Sequence, residues 1–120
     1  MRTGEQIPRV APHAALHDGL VEMSRKGLGM TTIVDEQARV LGVFTDGDLR
    51  RLLGGPLDVR TATMGSLMTR NPKTIQARVL AAEAVHMMET ARITSLPVVD
   101  AQGFLVGALN VHDLLRAGVM

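Results

Sequence analysis

Gly42-Val-Phe-Thr45-Asp46-Gly47-Asp48-Leu49-Arg50-Arg51 is answered later in the same chain by Gly107-Ala-Leu-Asn110-Val111-His112-Asp113-Leu114-Leu115-Arg116. Each copy follows a short apolar run closed by an aspartate, Ile33-Val34-Asp35 and Val98-Val99-Asp100. Positions 107 and 42, 113 and 48, and 100 and 35 all differ by 65. A repeat of this kind fixes the architecture before any single element is assigned, because each copy is one supersecondary unit. Both copies end in the same polar device, an oxygen-bearing residue with an Asp three positions on.

The 120 residues make one compact domain by length, and 46% hydrophobic content is enough for a core. The repeat divides that core into halves of about 55 residues, each marginal alone. A formal charge of +1 gives no basic face for nucleic acid. Tyr and Trp are absent and Phe occurs only at 44 and 104, which removes stacking platforms for single strands. Without Cys there is no disulfide framework and no thiolate chemistry. No apolar run reaches the ~20 residues of a membrane span, and Met-Arg-Thr-Gly-Glu-Gln lacks the apolar core of a signal peptide. The expectation is a soluble, cytoplasmic protein with neither nucleic acid nor membrane as partner.

Residues 1–6 are polar and are expected to fray. Arg9-Val10 reads as a short strand ended by Ala11-Pro12. Over 13–26, Leu16, Leu20, Val21 and Met23 recur at helical spacing, and Gly27 and Gly29 stop the helix. The β-branched run 31–35 is a strand, 36–39 a turn, and 40–44 a second strand, apolar on both faces and so buried. Thr45 opens a helix to Leu53, which completes a β-α-β-β-α unit ended by Gly54-Gly55-Pro56.

The second copy has the same order. Residues 73–75 form its short strand, and 79–90 its helix with Leu80, Ala84, Met87 and Met88 on the apolar side. Strands follow at 95–100 and 104–109 around the turn 101–103, then a helix from Asn110 to near Gly118. Pro97 suits only a strand's beginning. The predicted organisation is unit one at 7–56, a linker at 57–66 and unit two at 67–118. The fold class is α/β of the α+β type, two antiparallel-hairpin units packed with pseudo-two-fold symmetry.

Thr45 and Asp48, and again Asn110 and Asp113, stand at N-cap and N3 of a helix. One reading is capping alone, about 1 kcal/mol each. The other adds a ligand. A helix start offers N–H groups and a positive dipole end to a phosphate, and a carboxylate just inside can accept from both hydroxyls of a ribose. Gly42 and Gly107 would let a flat group approach the backbone. Two copies at one spacing favour the ligand reading.

The β-α-β-β-α unit ending in Gly-h-h-Thr-x-x-Asp (h apolar) resembles the CBS domain, and the tandem copies resemble a CBS pair, or Bateman module, from about residue 7 to 117. Such modules bind adenosine nucleotides or related molecules between the copies and regulate an attached enzyme or transporter. The resemblance implies that Thr45 and Asp48 face one nucleotide and Asn110 and Asp113 a second. Asn110 departs from the usual Ser or Thr.

Gly27-Leu-Gly29-Met30, the 42–51 motif, Ile93-Thr94, Pro97-Val-Val-Asp100 and Ala117-Gly118-Val119 further resemble the C-terminal part of bacterial D-arabinose 5-phosphate isomerases. Those enzymes join a sugar isomerase (SIS) domain to a CBS pair and serve synthesis of Kdo, the acid sugar of lipopolysaccharide. No position here matches their isomerase residues, so the expectation is a regulatory part without catalysis, whose partner is a SIS domain in the parent chain.

His13 and His17 are spaced i, i+4, but no third ligand is placed by the sequence, so no metal is expected. His86 and His112 read as surface. Arg50, Arg51 and Arg116 lie one turn beyond the polar device, where a phosphate contact and a plain surface role are both open. With so few aromatics, Thr32, Ile33, Pro97 and Val98 are expected to clasp the base between aliphatic surfaces. Beyond a regulatory ligand no cofactor is expected. That ligand is a nucleotide or nucleotide sugar, with CMP-Kdo the candidate and adenine nucleotides the generic alternative. A second class of function is a ligand-free interaction module holding isomerase subunits together. Leu20, Met23, Val85 and Met88 on the long helices suggest a homodimer.

Overall fold

A computed structural model describes residues 1–55, 60–79 and 81–116. Pro56, Leu80, Gly118 and the first part of the linker, all used in the sequence reading, lie outside the described residues, as does the Arg116 side chain. The fold is α+β, with two small sheets and their helices. It divides into two compact units, one of Pro8–Pro72 and one of Met1–Ile7 with Lys73–Met120. The division differs from the boundaries read at 7–56 and 67–118, because the start of the chain joins the second repeat.

The first-repeat unit holds β1 (Arg9–Val10), α1 (Leu16–Lys26), β2 (Met30–Val34), β3 (Val40–Thr45), α2 (Asp46–Leu53), α3 (Met64–Leu67) and β4 (Thr69–Arg70), with sheet order β1-β2-β3-β4. β1 and β2 are parallel, and the β2–β3 hairpin is antiparallel with Thr32 opposite Val43. Helix α1 starts at Leu16 rather than 13, because Pro12 and Ala14 turn their carbonyls elsewhere. They accept from Gly65 N and Met64 N, each at 2.8 Å. Gly27 ends α1 at φ 70°, a left-handed cap whose N–H donates to Met23 O. Leu16, Met23, Ile33, Phe44 and Met64 form the core. Strand β3 alternates: Gly42 and Phe44 are buried and the others half-buried, so only one face is fully closed, against the expectation of two.

The second-repeat unit holds β5 (Ile75–Gln76), α4 (Ala81–Ala91), β6 (Ser95–Val99), β7 (Leu105–Asn110) and α5 (Val111–Arg116), with sheet order β5-β6-β7. Ile75, Ala84, Met88, Leu96, Val98 and Leu114 form its core. The repeat extends to details. Asp35 Oδ1 accepts from Gln37 N and Arg39 N, and Asp100 Oδ1 from Gln102 N and Phe104 N, at 2.9–3.0 Å. Both turns then need a left-handed residue, Gly103 at φ 89° and its counterpart Ala38 at φ 67°. Met23 and Met88 are core residues, and Leu20 and Val85 pack against the same clusters. Of the four residues that suggest a dimer, Met23 and Met88 are thus interior, and Leu20 and Val85 are half-buried.

Residues 1–6 do not fray as expected. Arg2 pairs with Ala108 on β7, N to O at 2.8 Å and O to N at 3.0 Å. β4 makes the corresponding pairing on β3, Thr69 opposite Val43. Thus the segment ahead of the first repeat lies on the hairpin of the second, and the segment ahead of the second lies on the hairpin of the first. Gly42 and Gly107 are where these segments cross. A Cβ at Gly42 would stand 2.6 Å from Met68 Sδ and 2.7 Å from Thr69 O; at Gly107 it would stand 2.5 Å from Met1 Sδ and 3.0 Å from Arg2 O. The space expected to admit a flat ligand is filled by the chain itself.

Gly42→Ala should therefore destabilise the fold. Thr69 O is backbone and cannot yield as a flexible side chain can, so a loss of roughly 1–3 kcal/mol is expected, as for overpacking. Urea denaturation measures it, and an unchanged midpoint would show that β4 does not sit on Gly42.

Candidate functional site

Each unit's hairpin runs directly into a short helix, and the polar device occupies that junction. At α2, Thr45 keeps an extended backbone, its Oγ1 accepts from Asp48 N at 3.2 Å, and Asp48 Oδ2 accepts from Thr45 N at 3.0 Å. The reciprocal box read from the sequence is therefore formed. Gly29 O accepts from Asp46 N at 3.1 Å, which ties the helix start to the beginning of the hairpin. At α5, Thr94 O accepts from Val111 N at 2.8 Å, the same tie one repeat later. Asn110 Oδ1 accepts from His112 N at 2.8 Å, and its Nδ2 donates to Ser95 Oγ at 2.9 Å. The amide at this position thus caps and cross-braces together.

The two carboxylates are part-buried, with side-chain exposure of 13% at Asp48 and 18% at Asp113. Asp48 pairs with Arg51, one turn on in the same helix, whose side chain is 74% exposed. Thr69 Oγ1 stands 3.4 Å from both Asp48 oxygens. Asp113 instead faces Arg2, with Nε to Oδ2 at 3.1 Å and Nη2 to Oδ1 at 3.4 Å. In each unit the crossing segment supplies a partner to the carboxylate, a neutral hydroxyl in one and a guanidinium in the other. Sequence reasoning missed both. The signal was present as Met1-Arg2-Thr3 against Met68-Thr69-Arg70, offset by 67 rather than 65 and so outside the repeat as aligned.

The four strand residues are placed differently. Ile33 and Val98 belong to the two cores. Thr32 is fully buried, and its Oγ1 donates to Pro8 O at 2.6 Å. Pro97 is also closed from solvent. All four are closed from solvent in this structure, on the central strands β2 and β6. Thr45, Asp48, Asn110 and Asp113 remain as the candidate site, two at each helix start. Arg51 is the cation nearest to one of them, while Arg50 and His112 are exposed.

His13 and His17 are exposed on and just before α1, and no group of three His, Asp or Glu suited to a metal occurs among the described residues. A groove of about 750 Å³ also lies along α4, lined by Lys73, Thr74, Ala82, Glu83, His86 and Met87 among others. No helix among the described residues is long and apolar enough to cross a membrane.

The CBS domain family model matches residues 1–55 and 64–119. The chain belongs to the CBS domain family. This CBS pair is 53% identical over its full length to the arabinose 5-phosphate isomerase KdsD of Pseudomonas aeruginosa and covers 37% of that protein. It is 45% identical to KdsD of Escherichia coli K12, covering 36%. The chain thus spans little more than a third of the curated relatives it matches. Among solved structures, CBSX2 in complex with AMP superposes with a TM-score of 0.82 at 25% identity, covering 99% of this chain and 92% of that one. The chain is a CBS-pair module, similar to the CBS-bearing region of those isomerases.

Removing the Thr45 hydroxyl tests the structural share of the device. Thr45→Ala should cost about 1 kcal/mol, the usual loss of an N-cap. A thermal or urea midpoint equal to that of the parent would mean that the box contributes nothing to holding α2.

Proposed function

We propose that this CBS pair is the ligand-sensing regulatory part of a D-arabinose 5-phosphate isomerase of Kdo synthesis, joined in the parent chain to a SIS isomerase domain. Its ligand is a nucleotide or nucleotide sugar, with CMP-Kdo the candidate. The observation that carries the reading is the duplicated, part-buried carboxylate one turn inside a helix start, at Asp48 and Asp113. A carboxylate with two oxygens fits the two vicinal hydroxyls of a ribose through charge-assisted bonds. At Asp48 the present partner is Arg51, largely exposed and on a flexible stem, so a ribose can displace it at small cost. Arg51 is then placed to turn to a phosphate.

The kinship with KdsD supports the pathway, and AMP in CBSX2 supports a nucleotide of some kind. CMP-Kdo combines a ribose and a phosphate with the end product of the pathway, which suits feedback. An adenine nucleotide, sensed for this or another enzyme, is the alternative that AMP in CBSX2 favours. We also assign the module to the cytoplasm and to a homodimer. The groove along α4 is one surface that could take such a contact. A ligand-free interaction module remains the contrasting function.

A thermal-shift panel of CMP-Kdo, CMP, AMP and ATP separates these readings. A ligand at about 100 times its dissociation constant should stabilise the module by ~2.7 kcal/mol. Asp48→Ala should weaken that binding by roughly 1.5–3 kcal/mol, the range for hydrogen bonds to a charged group, and lower stability by less. No shift with any of the four would favour the interaction module, and calorimetry giving Asp48→Ala the parent affinity would remove Asp48 from the site.

A further inference from the structure

The two carboxylates differ in what a ligand must displace. At Asp48 the cation comes from its own helix, and the crossing segment offers only the Thr69 hydroxyl at 3.4 Å. At Asp113 the cation belongs to the crossing segment itself. Arg2 spans both carboxylate oxygens, at 3.1 and 3.4 Å, with side chains 28% and 18% exposed. The same residue makes the backbone pair with Ala108, and Met1 lies against Gly107. One residue therefore joins the arm to the sheet by its backbone and to the helix start by its side chain.

We propose that residues 1–7 form a ligand-displaceable arm. Arg2 occupies the Asp113 carboxylate that a ribose needs, so a nucleoside bound there and a docked arm exclude one another. The inference rests on the reading of Asp113 as a ribose acceptor and adds the regulation of that site. It makes the two sites unequal despite the repeat. Binding at Asp48 leaves β4 in place, because its strand pairing with β3 does not depend on the carboxylate. Binding at Asp113 removes a side-chain anchor of the arm beside the Arg2–Ala108 bridge. Anything joined ahead of Met1 would feel that release, and the repeat thereby provides one coupled site and one uncoupled site.

Amide hydrogen exchange on the whole chain, with AMP as probe, tests this. The reporter is Ala108 N–H, which donates to Arg2 O. Asp113→Asn should speed its exchange about five-fold, the factor that an ion pair of this exposure supports, whereas Asp48→Asn should leave it unchanged. Saturating AMP should speed it in the parent chain. Arg2→Ala, which leaves both carboxylates intact, should bind AMP several-fold more tightly by calorimetry. Unchanged or increased protection of Ala108 under AMP that is lost on Asp113→Asn would overturn the arm while keeping the ribose site. Weaker AMP binding by Arg2→Ala would make Arg2 a ligand contact and also overturn it. AMP binding insensitive to both Asp48→Asn and Asp113→Asn would sink the ribose reading, and the arm with it. So would absence of binding by both the parent and Arg2→Ala.

Discussion

The close approach of a crossing segment to a hairpin glycine sets the terms for everything else in this molecule. Gly42 and Gly107 carry no side chain, so Thr69 and Arg2 pair backbone to backbone with the strand beside them. That contact brings a side chain of the crossing segment to the carboxylate at the following helix start. It also explains how two halves too small for a robust core are completed, each taking residues from outside its own repeat. The glycines are therefore structural, although a glycine before a helix start is also what a nucleotide site would use.

At the helix starts a single carboxylate serves two purposes. Asp48 accepts from the N-cap amide and so fixes α2, yet among the described residues its other oxygen is held by an exposed arginine and a distant hydroxyl. One oxygen committed to structure and one exchangeable is a suitable state for an acceptor waiting for ligand hydroxyls. The second site reaches the same end by other means. Asn110 reaches the His112 amide and Ser95, while Arg2 covers Asp113. Sequence divergence between the copies thus falls on the partners of the carboxylates, while the carboxylates themselves are kept.

The repeat made most of the fold legible. The hairpins, the long helices and the Thr45–Asp48 box follow from period, turn residues and spacing that the chain carries locally. What escaped was non-local. The crossings of residues 1–7 and 64–70 depend on pairings with distant strands, Arg2 with Ala108 and Thr69 with Val43, whereas locally residues 1–6 read as fraying and 57–66 as linker. The burial of the strand residues Thr32, Ile33, Pro97 and Val98, read from the sequence as a base clasp, is also non-local. What packs on each face of a sheet decides what a strand's side chains meet, and local composition does not specify that. The α4 groove went unread because small residues such as Ala82 and Ala91 give a weak hydrophobic signal while leaving room for a surface depression.

The central claim is that the carboxylates of the two helix starts receive the hydroxyls of a ribose. A titration of the ¹⁵N-labelled module with CMP-Kdo and with AMP, followed by amide chemical shifts, addresses it most directly. The account predicts saturable shifts centred on Thr45, Asp48, Asn110 and Asp113 with at least one of the two ligands, and little change at Ala82, His86 and Met87. Saturable shifts confined to the α4 groove, or none at the helix starts with either ligand, would contradict it.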